Sequence, residues 1–219
     1  MVIKKLTDIS IEGIDLILLD LDNTIYSYDV AHEIALNKVF DKFCNSTNKT
    51  RLFIENLFLE CRKSVKLIHK GKAASHSRLF YFQLMVEKLL AKTDINLILE
   101  AYNLYWDSFI NEMEIYEDAK LFLQKCYSNN TPIILVTDMT AEVQFKKIIK
   151  LDIEKYLNFI VTSDEAGIEK PNEFIFKYAI EKFISEVKSI NKIIMIGDDQ
   201  IKDNFLTSEF EVINYHLYK

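Results

Sequence analysis

The sequence predicts an α/β fold: a doubly wound parallel sheet with an all-helical module inserted after the first strand. Five short runs are rich in Ile, Leu and Val: 15–19 (DLILL), 133–136 (IILV), 159–162 (FIVT), 193–196 (IIMI) and 212–215 (VINY). Continuous rather than alternating apolar character marks strands buried on both faces, the pattern of a parallel sheet. Helical stripes separate the later runs, and strands alternating with helices imply crossover connections. The interval 26–109 breaks that rhythm, with helical stripes and no strand-like run.

In chain order, the first strand is 15–19, followed by four amphipathic helices at 31–45, 49–69, 76–91 and 95–109. Phe53, Leu57, Cys61 and Val65 recur at i, i+4, and Phe80, Leu84 and Leu89 form a similar stripe. The sheet then resumes. Leu121, Phe122 and Cys126 mark a helix over 118–127; Val143, Phe145, Ile148, Ile149 and Leu151 mark one over 141–151. Phe174, Ile175, Tyr178, Ala179, Phe183 and Val187 mark a third over 172–187. The reading divides the chain into a core of 1–25 and 110–219 and a helical domain of 26–109.

Composition narrows the function classes. At 219 residues, the chain has room for about one and a half domains of ordinary size. With only 4 Gly and 2 Pro it is no collagen or flexible linker. The net charge of −6 gives no overall attraction to a nucleic-acid backbone, so no nucleic-acid partner is expected. Cys44, Cys61 and Cys126 fit neither a zinc pattern nor a disulfide framework, and reduced buried thiols are expected. The N-terminus lacks the apolar core of a secretory signal, and no stretch is long and apolar enough to span a bilayer. The expectation is a cytoplasmic protein without a membrane partner, a monomer or weak homodimer.

Doubly wound sheets bind ligands at the carboxyl ends of their strands, so the residues after each run carry the chemistry. Asp20-Leu21-Asp22-Asn23-Thr24 follows the first run and Thr137-Asp138 the second. Lys170-Pro171 lies beyond the third, and Gly197-Asp198-Asp199 with Asp203 follows the fourth. Alone, each is an ordinary turn or helix start. Together, each behind its own strand, they assemble a charge pattern. Asp20 and Asp22, two apart on an extended chain end, start on one face. Crowded carboxylates repel unless a cation sits among them, and Mg²⁺ is the expected one, being hard and oxygen-binding. Thr137 and Lys170 add a hydroxyl and an ammonium for an anion. The set suits phosphoryl transfer: one carboxylate attacks phosphorus and a second protonates the leaving oxygen.

These motifs resemble the haloacid dehalogenase (HAD) superfamily of hydrolases. DLDNT at 20–24 is similar to its first motif, Thr137 in LVTD to its second, Lys170 in GIEKPNEFIF to its third, and GDDQIKD at 197–203 to its fourth. The resemblance implies a Rossmann-like core with strand order 5-4-1-2-3 and an Mg²⁺ cofactor. It implies Asp20 as nucleophile and metal ligand, and Asp22 as general acid/base whose backbone carbonyl also binds the metal. It further implies Thr137 and Lys170 on the phosphate and Asp198 as metal ligand, with Asp199 and Asp203 in support. Two departures add negative charge: Asp138, where many relatives carry Asn, and Asp199, where Ser or Asn is common.

Motifs one and two lie 117 residues apart, and motifs two and three only 33. The inserted helices therefore resemble the C1 cap of subfamily I, a lid that excludes water and selects substrate. Tyr26, Tyr28, His32, His76 and Arg78 are the candidate substrate contacts. An acid at position 22 favours phosphate esters over halides, because an alkoxide leaving group needs a proton. The expected activity is hydrolysis of a small phosphorylated metabolite, a sugar phosphate or nucleotide, through an aspartyl-phosphate. A phosphomutase with the same site and a non-catalytic binding module are the alternatives. A stable phosphoenzyme without phosphate release marks the first, and absence of turnover marks the second.

Overall fold

The computed structural model describes residues 1–184 and 190–218. The chain forms two compact units, Met1–Ser27 with Glu114–Lys219, and Tyr28–Met113. The first unit carries a sheet of β1 (Val2–Ile3), β2 (Leu16–Leu19), β3 (Ile133–Thr137), β4 (Phe159–Thr162), β5 (Lys192–Gly197) and β6 (Glu211–Leu217). The helices, in chain order, are α1 (Tyr28–Thr47), α2 (Arg51–Ile68), α3 (Arg78–Leu90), α4 (Ile95–Asn111), α5 (Glu117–Ser128), α6 (Ala141–Lys150), α7 (Ser163–Ala166) and α8 (Glu173–Ile184).

Every strand pairing is parallel, and the order is β1-β6-β5-β2-β3-β4. Five of these strands reproduce the expected 5-4-1-2-3 order. The sixth, β1, was not legible in the sequence: it is two residues long and exists only by pairing Val2 and Ile3 with His216 and Leu217. The central strand β2 is buried at every position. Its Leu19 lies opposite Leu135 of β3 on one side and Ile196 of β5 on the other. That register brings Asp20, the end of β3 and Gly197 to a common edge, where a doubly wound sheet places its site.

Alternate residues of β2 face opposite sides of the sheet. Leu16 and Leu18 pack with Ile134, Val136, Ile193 and Met195 against Ile175, Phe176, Ala179, Ile180 and Phe183 of α8. Each of these side chains other than Ala179 contributes about 1.5–3 kcal/mol on full burial. Position 187, read as the end of this helical pattern, lies outside the described residues.

Most of each expected stripe is buried, including Leu57, Cys61 and Val65 of α2 and Ile175, Ala179 and Phe183 of α8, but single members turn outward. Phe53, Phe80, Leu121, Phe145, Ile149 and Phe174 are exposed, whereas Ile54, Tyr81, Phe82 and Leu123 are buried. On α6 the buried face is Val143, Gln144, Lys147 and Ile148. A lysine and a glutamine there replace the two apolar residues expected, because their polar ends find partners at the sheet edge, described below.

Within the helical unit, α2, α3 and α4 start where Thr50, Ser77 and Asp94 accept the N–H groups of Phe53, Phe80 and Leu97. α3 ends at Ala91, whose φ of 54° is left-handed. An aromatic cluster of Phe43, Phe58, Tyr81, Phe82 and Tyr105 fills the interior. All three cysteines are free; Cys61 and Cys126 are buried, and Cys44 is partly exposed, contrary to the expectation for it. Among the described residues no helix is long and apolar enough to cross a membrane.

Candidate active site

The end of β2 delivers Asp20. Its N–H donates to the Ile196 carbonyl at 2.9 Å, which extends the sheet ladder by one residue and pins the backbone. The residue is 5% exposed and its side chain has two partners. Lys170 Nζ donates to Oδ1 at 2.6 Å, and Thr24 Oγ1 donates to Oδ2 at 2.9 Å. Burial, together with the nearby carboxylates of Asp203 and Asp22, raises the Asp20 pKa to about 7 despite Lys170.

Lys170 is buried and divides its ammonium between two carboxylates, with Asp203 Oδ1 at 2.5 Å. Burial alone would lower its pKa, but the carboxylates of Asp20 and Asp203 outweigh it and hold the group charged. Its backbone is set by Asp138, whose Oδ1 accepts the Lys170 N–H at 3.0 Å and whose Oδ2 accepts Lys202 Nζ at 2.7 Å. The extra acid of the second motif is thus taken up in orienting the third and is neutralised by Lys202. The Lys170–Pro171 peptide is cis.

The turn after β5 is built around Asp203. Its Oδ2 accepts the Asp199 N–H at 3.1 Å, and its own N–H donates to the Asp199 carbonyl at 2.8 Å. The Asp199 carboxylate accepts the N–H groups of Ile201 and Lys202, so it caps the turn as an Asx motif rather than reaching for a ligand. Asp198 is half-buried, and burial and the neighbouring Asp20 raise its pKa to about 6. Asp20, Asp198 and Asp203 each offer a carboxylate oxygen within 4.8 Å of the others.

Gly197 is required by this packing. A Cβ at that position would lie 2.0 Å from Asp203 Oδ2 and 2.1 Å from Cγ. Gly197→Ala is expected to displace Asp203 and to destabilise the protein by about 1–3 kcal/mol, the usual range for overpacking. A chemical denaturation midpoint unchanged from wild type would contradict this.

Asp22 is directed to a different cation. Lys147 Nζ, on α6, donates to Oδ1 at 2.8 Å and Oδ2 at 3.0 Å, and the Tyr26 hydroxyl donates to Oδ1. Burial would raise the Asp22 pKa, but the Lys147 ammonium outweighs it and holds the carboxyl below its usual value. The two acids of the first motif therefore do not share one environment: Lys170 and two further carboxylates surround Asp20, and Lys147 faces Asp22.

Thr137 ends β3 and is buried with Gln144 of α6. Gln144 Nε2 donates to Thr137 Oγ1 at 2.5 Å and to the Asp138 carbonyl at 2.7 Å, while Gln144 Oε1 is buried with no hydrogen-bond partner among the described residues. Asn23 and Met139, just past β2 and β3, have φ of 61° and 89°. Left-handed non-glycine residues of this kind cluster at functional turns.

The five residues read as substrate contacts divide between the units. Tyr26 belongs to the sheet unit, where it is fully buried and bridges to Ile115, with its hydroxyl on Asp22. It is placed as a support of Asp22 rather than as part of the helical domain. Tyr28, His32, His76 and Arg78 lie in the helical unit. His32 Nδ1 is 2.5 Å from the Tyr105 hydroxyl. Arg78 is 4% exposed, not a surface residue. Its guanidinium lies 5.4–5.9 Å from the ring centres of Tyr28, Tyr81, Tyr105 and Trp106. It also donates to the His76 carbonyl at 2.7 Å and to the Tyr28 hydroxyl. Aromatic faces of this kind hold a buried cation by their quadrupoles.

Asp20, Lys170, Asp198 and Asp203, all candidates from the strand-end motifs, meet in the structure. Lys147 and Gln144 belong to no such motif. The available signal was their position: 143, 144, 147 and 148 form one helical face, and a polar pair on that face needs buried partners.

Comparison with known proteins bears on the whole sheet unit and the inserted helices. The family model for haloacid dehalogenase-like hydrolases matches residues 14–203. A ribulose-1,5-bisphosphate 5-phosphatase of Halopiger xanaduensis is 28% identical over 187 residues, covering 84% of this chain and 76% of that protein. A glyceraldehyde 3-phosphate phosphatase of Methanocaldococcus jannaschii is 24% identical over 203 residues, covering 93% and 84%. Among solved structures, a HAD phosphatase of Thermococcus onnurineus superposes with a TM-score of 0.66 at 19% identity, covering 93% of each chain, which speaks for the fold. With the family match spanning all four strand-end motifs, the chain belongs to the haloacid dehalogenase-like hydrolases.

Proposed function

We propose that this chain is a Mg²⁺-dependent phosphomonoester hydrolase acting on a small phosphorylated sugar or related metabolite. The observation that carries the reading is the buried Asp20 carboxylate, held by Lys170 together with Asp203 and flanked by Asp198. Two relatives whose names specify sugar phosphates, each aligned over most of its length, support the substrate class.

The donors fit a hard cation: all are oxygens, and the raised pKa values of Asp20 and Asp198 mark negative charge in excess of what Lys170 neutralises. Asp20, Asp198 and, by family resemblance, the Asp22 carbonyl would hold Mg²⁺. Asp203 serves through Lys170 and the turn, since its oxygens are already engaged there. When bound, Mg²⁺ neutralises charge on the phosphoryl oxygens.

Asp20 Oδ attacks phosphorus, the ester P–O bond breaks, and the leaving oxygen takes a proton from the Asp22 carboxyl, which must first take one up from solvent because Lys147 favours its ionised form. Water then attacks the aspartyl-phosphate, Asp22 takes its proton, and cleavage of the acyl P–O bond returns the Asp20 carboxylate. The ionised Asp22 favoured by Lys147 is the form this second step uses. Lys170 and Thr137 stabilise the phosphoryl charge in both steps. The helical unit is the proposed specificity element.

Two experiments test this reading. The first is phosphate release from glyceraldehyde 3-phosphate, ribulose 1,5-bisphosphate and a panel of nucleotides, with Mg²⁺ and with EDTA. Release from at least one sugar phosphate, lost in EDTA, is expected; no release from any sinks the proposal. The second uses pH. Because the folded pKa values of Asp20 and Asp198 are raised to about 7 and 6, the cation-free protein loses stability as pH climbs past the unfolded carboxylate value of about 4. A cation binds only the deprotonated pair. Mg²⁺ is therefore expected to raise Tm at pH 8 and scarcely at pH 5; equal shifts at both would count against the site.

A further inference from the structure

Lys147 is the feature that neither the family motifs nor the proposed chemistry absorbs. It lies on α6, on the face that packs inward, and its side chain has no exposure. A buried lysine is retained only where its charge is met. Here it is met by both oxygens of one residue, Asp22, which lies 125 positions away in the chain. Met139 Sδ lies 3.7 Å from Nζ, and the Tyr26 ring centre 5.8 Å away. Gln144, one turn earlier on the same face, holds Thr137 and the Asp138 carbonyl. One helix face thus reaches the ends of both β2 and β3.

We infer that Lys147 is a positioning residue for the hydrolytic half of the reaction: its two-point contact fixes the Asp22 carboxylate at the angle from which it takes the proton of the attacking water. The inference rests on the hydrolase reading above. Proton transfer needs the base within hydrogen-bond reach of the water. A side chain with two free rotations satisfies that only part of the time unless a partner holds it. The Tyr26 hydroxyl engages Oδ1, and the Gln144 side chain on the same face of α6 also bonds to this carboxylate. Lys147 is the charged partner that reaches both oxygens, and so it holds the carboxylate against rotation about its own axis. In the step, the water oxygen bonds to phosphorus, its proton passes to Asp22, and the acyl P–O electrons return to Asp20.

Rapid-mixing kinetics with p-nitrophenyl phosphate test this. Nitrophenolate leaves readily without a protonated Asp22, so phosphoryl transfer to Asp20 should survive in Lys147→Met while breakdown of the phosphoenzyme slows. The expected result is a burst of nitrophenolate close to one per active site, followed by a steady state reduced about 100-fold, at the lower end of what a misplaced general base costs. Acid quench should trap the phosphorylated Asp20, detected by mass spectrometry. Lys147→Arg should recover part of the steady-state rate. A merely structural lysine predicts otherwise: burst amplitude and steady state would fall together, in proportion to misfolded protein, with no trapped phosphoenzyme.

That outcome overturns the inference, as does wild-type turnover in Lys147→Met. Should Lys147→Met fail to fold, Lys147→Gln carries the same test, and failure of both to fold assigns Lys147 to structure instead. The Asp20→Asn variant separates the levels. Turnover that survives in it removes the hydrolase reading and this inference together. Turnover lost in it but unchanged by Lys147→Met removes this inference alone.

Discussion

Asp20→Asn is expected to abolish phosphate release, by at least about four orders of magnitude, the scale on which losing a covalent nucleophile is felt. The amide keeps the shape: its oxygen can accept from Lys170 and its NH2 can donate to the Thr24 hydroxyl oxygen, so the local packing survives. Its effect on stability has a definite sign. The Asp20 carboxyl has its folded pKa raised to about 7, so in the absence of metal the native state is penalised as the group ionises. The amide escapes that penalty. Without a divalent cation, Tm of the variant at pH 8 should equal or exceed that of the wild type, and the gap should close toward pH 4. A variant that melts well below wild type at pH 8 would show that Asp20 is held for structure. One that still turns over substrate would remove it from the chemistry.

Lys170→Met is expected to damage both function and fold. Lys170 is the ammonium bonded to both Asp20 and Asp203, each of them buried. Removing it leaves two carboxylates facing each other in a poorly solvated site. Breaking a buried pair in this way costs about 3–5 kcal/mol. For a protein of this size that is a fall in Tm on the order of 10 °C. The loss should be greatest near pH 8 and shrink as pH falls below about 7, because Asp20 takes up a proton near that value even with Lys170 present and the Asp203 carboxyl is likewise raised. Activity should drop by roughly 10²–10³-fold or more, as for removal of one stabilising donor from a phosphoryl or oxyanion site. Arg does not restore it: the guanidinium is larger than the space in which Nζ reaches two oxygens at 2.6 and 2.5 Å. Calorimetry across pH, paired with phosphate release, reads both effects. Unchanged stability at pH 8 would mean that the two carboxyls are already neutral.

Most of the architecture could be read along the chain. β2, β3, β4 and β5 are legible because a strand covered on both faces must be apolar throughout. β6 was found too, but with shorter bounds, since its residues are mostly half-buried. β1 had no such signature; a two-residue edge strand is created by its partner. The helices and most of their buried faces were legible, but individual residues of those faces are exposed. Phe53 and Phe145 count as core by hydrophobicity and are exposed in the structure. Lys147 counts as surface and has no exposure. Hydrophobic periodicity ranks residues by type, whereas burial depends on what stands opposite.

The same division runs through the site. The strand-end positions of Asp20, Thr137, Lys170 and Asp198, and the order of their motifs, stand in the primary structure because each is local to the end of one apolar run. Which carboxylate meets which cation does not. Lys170 reaches Asp20 across 150 residues and Lys147 reaches Asp22 across 125, and Asp138 turns out to hold the Lys170 backbone rather than a ligand. Charges are assigned to one another through space, at separations set by sheet register and helix packing, and neither quantity is a property of neighbouring residues in the chain.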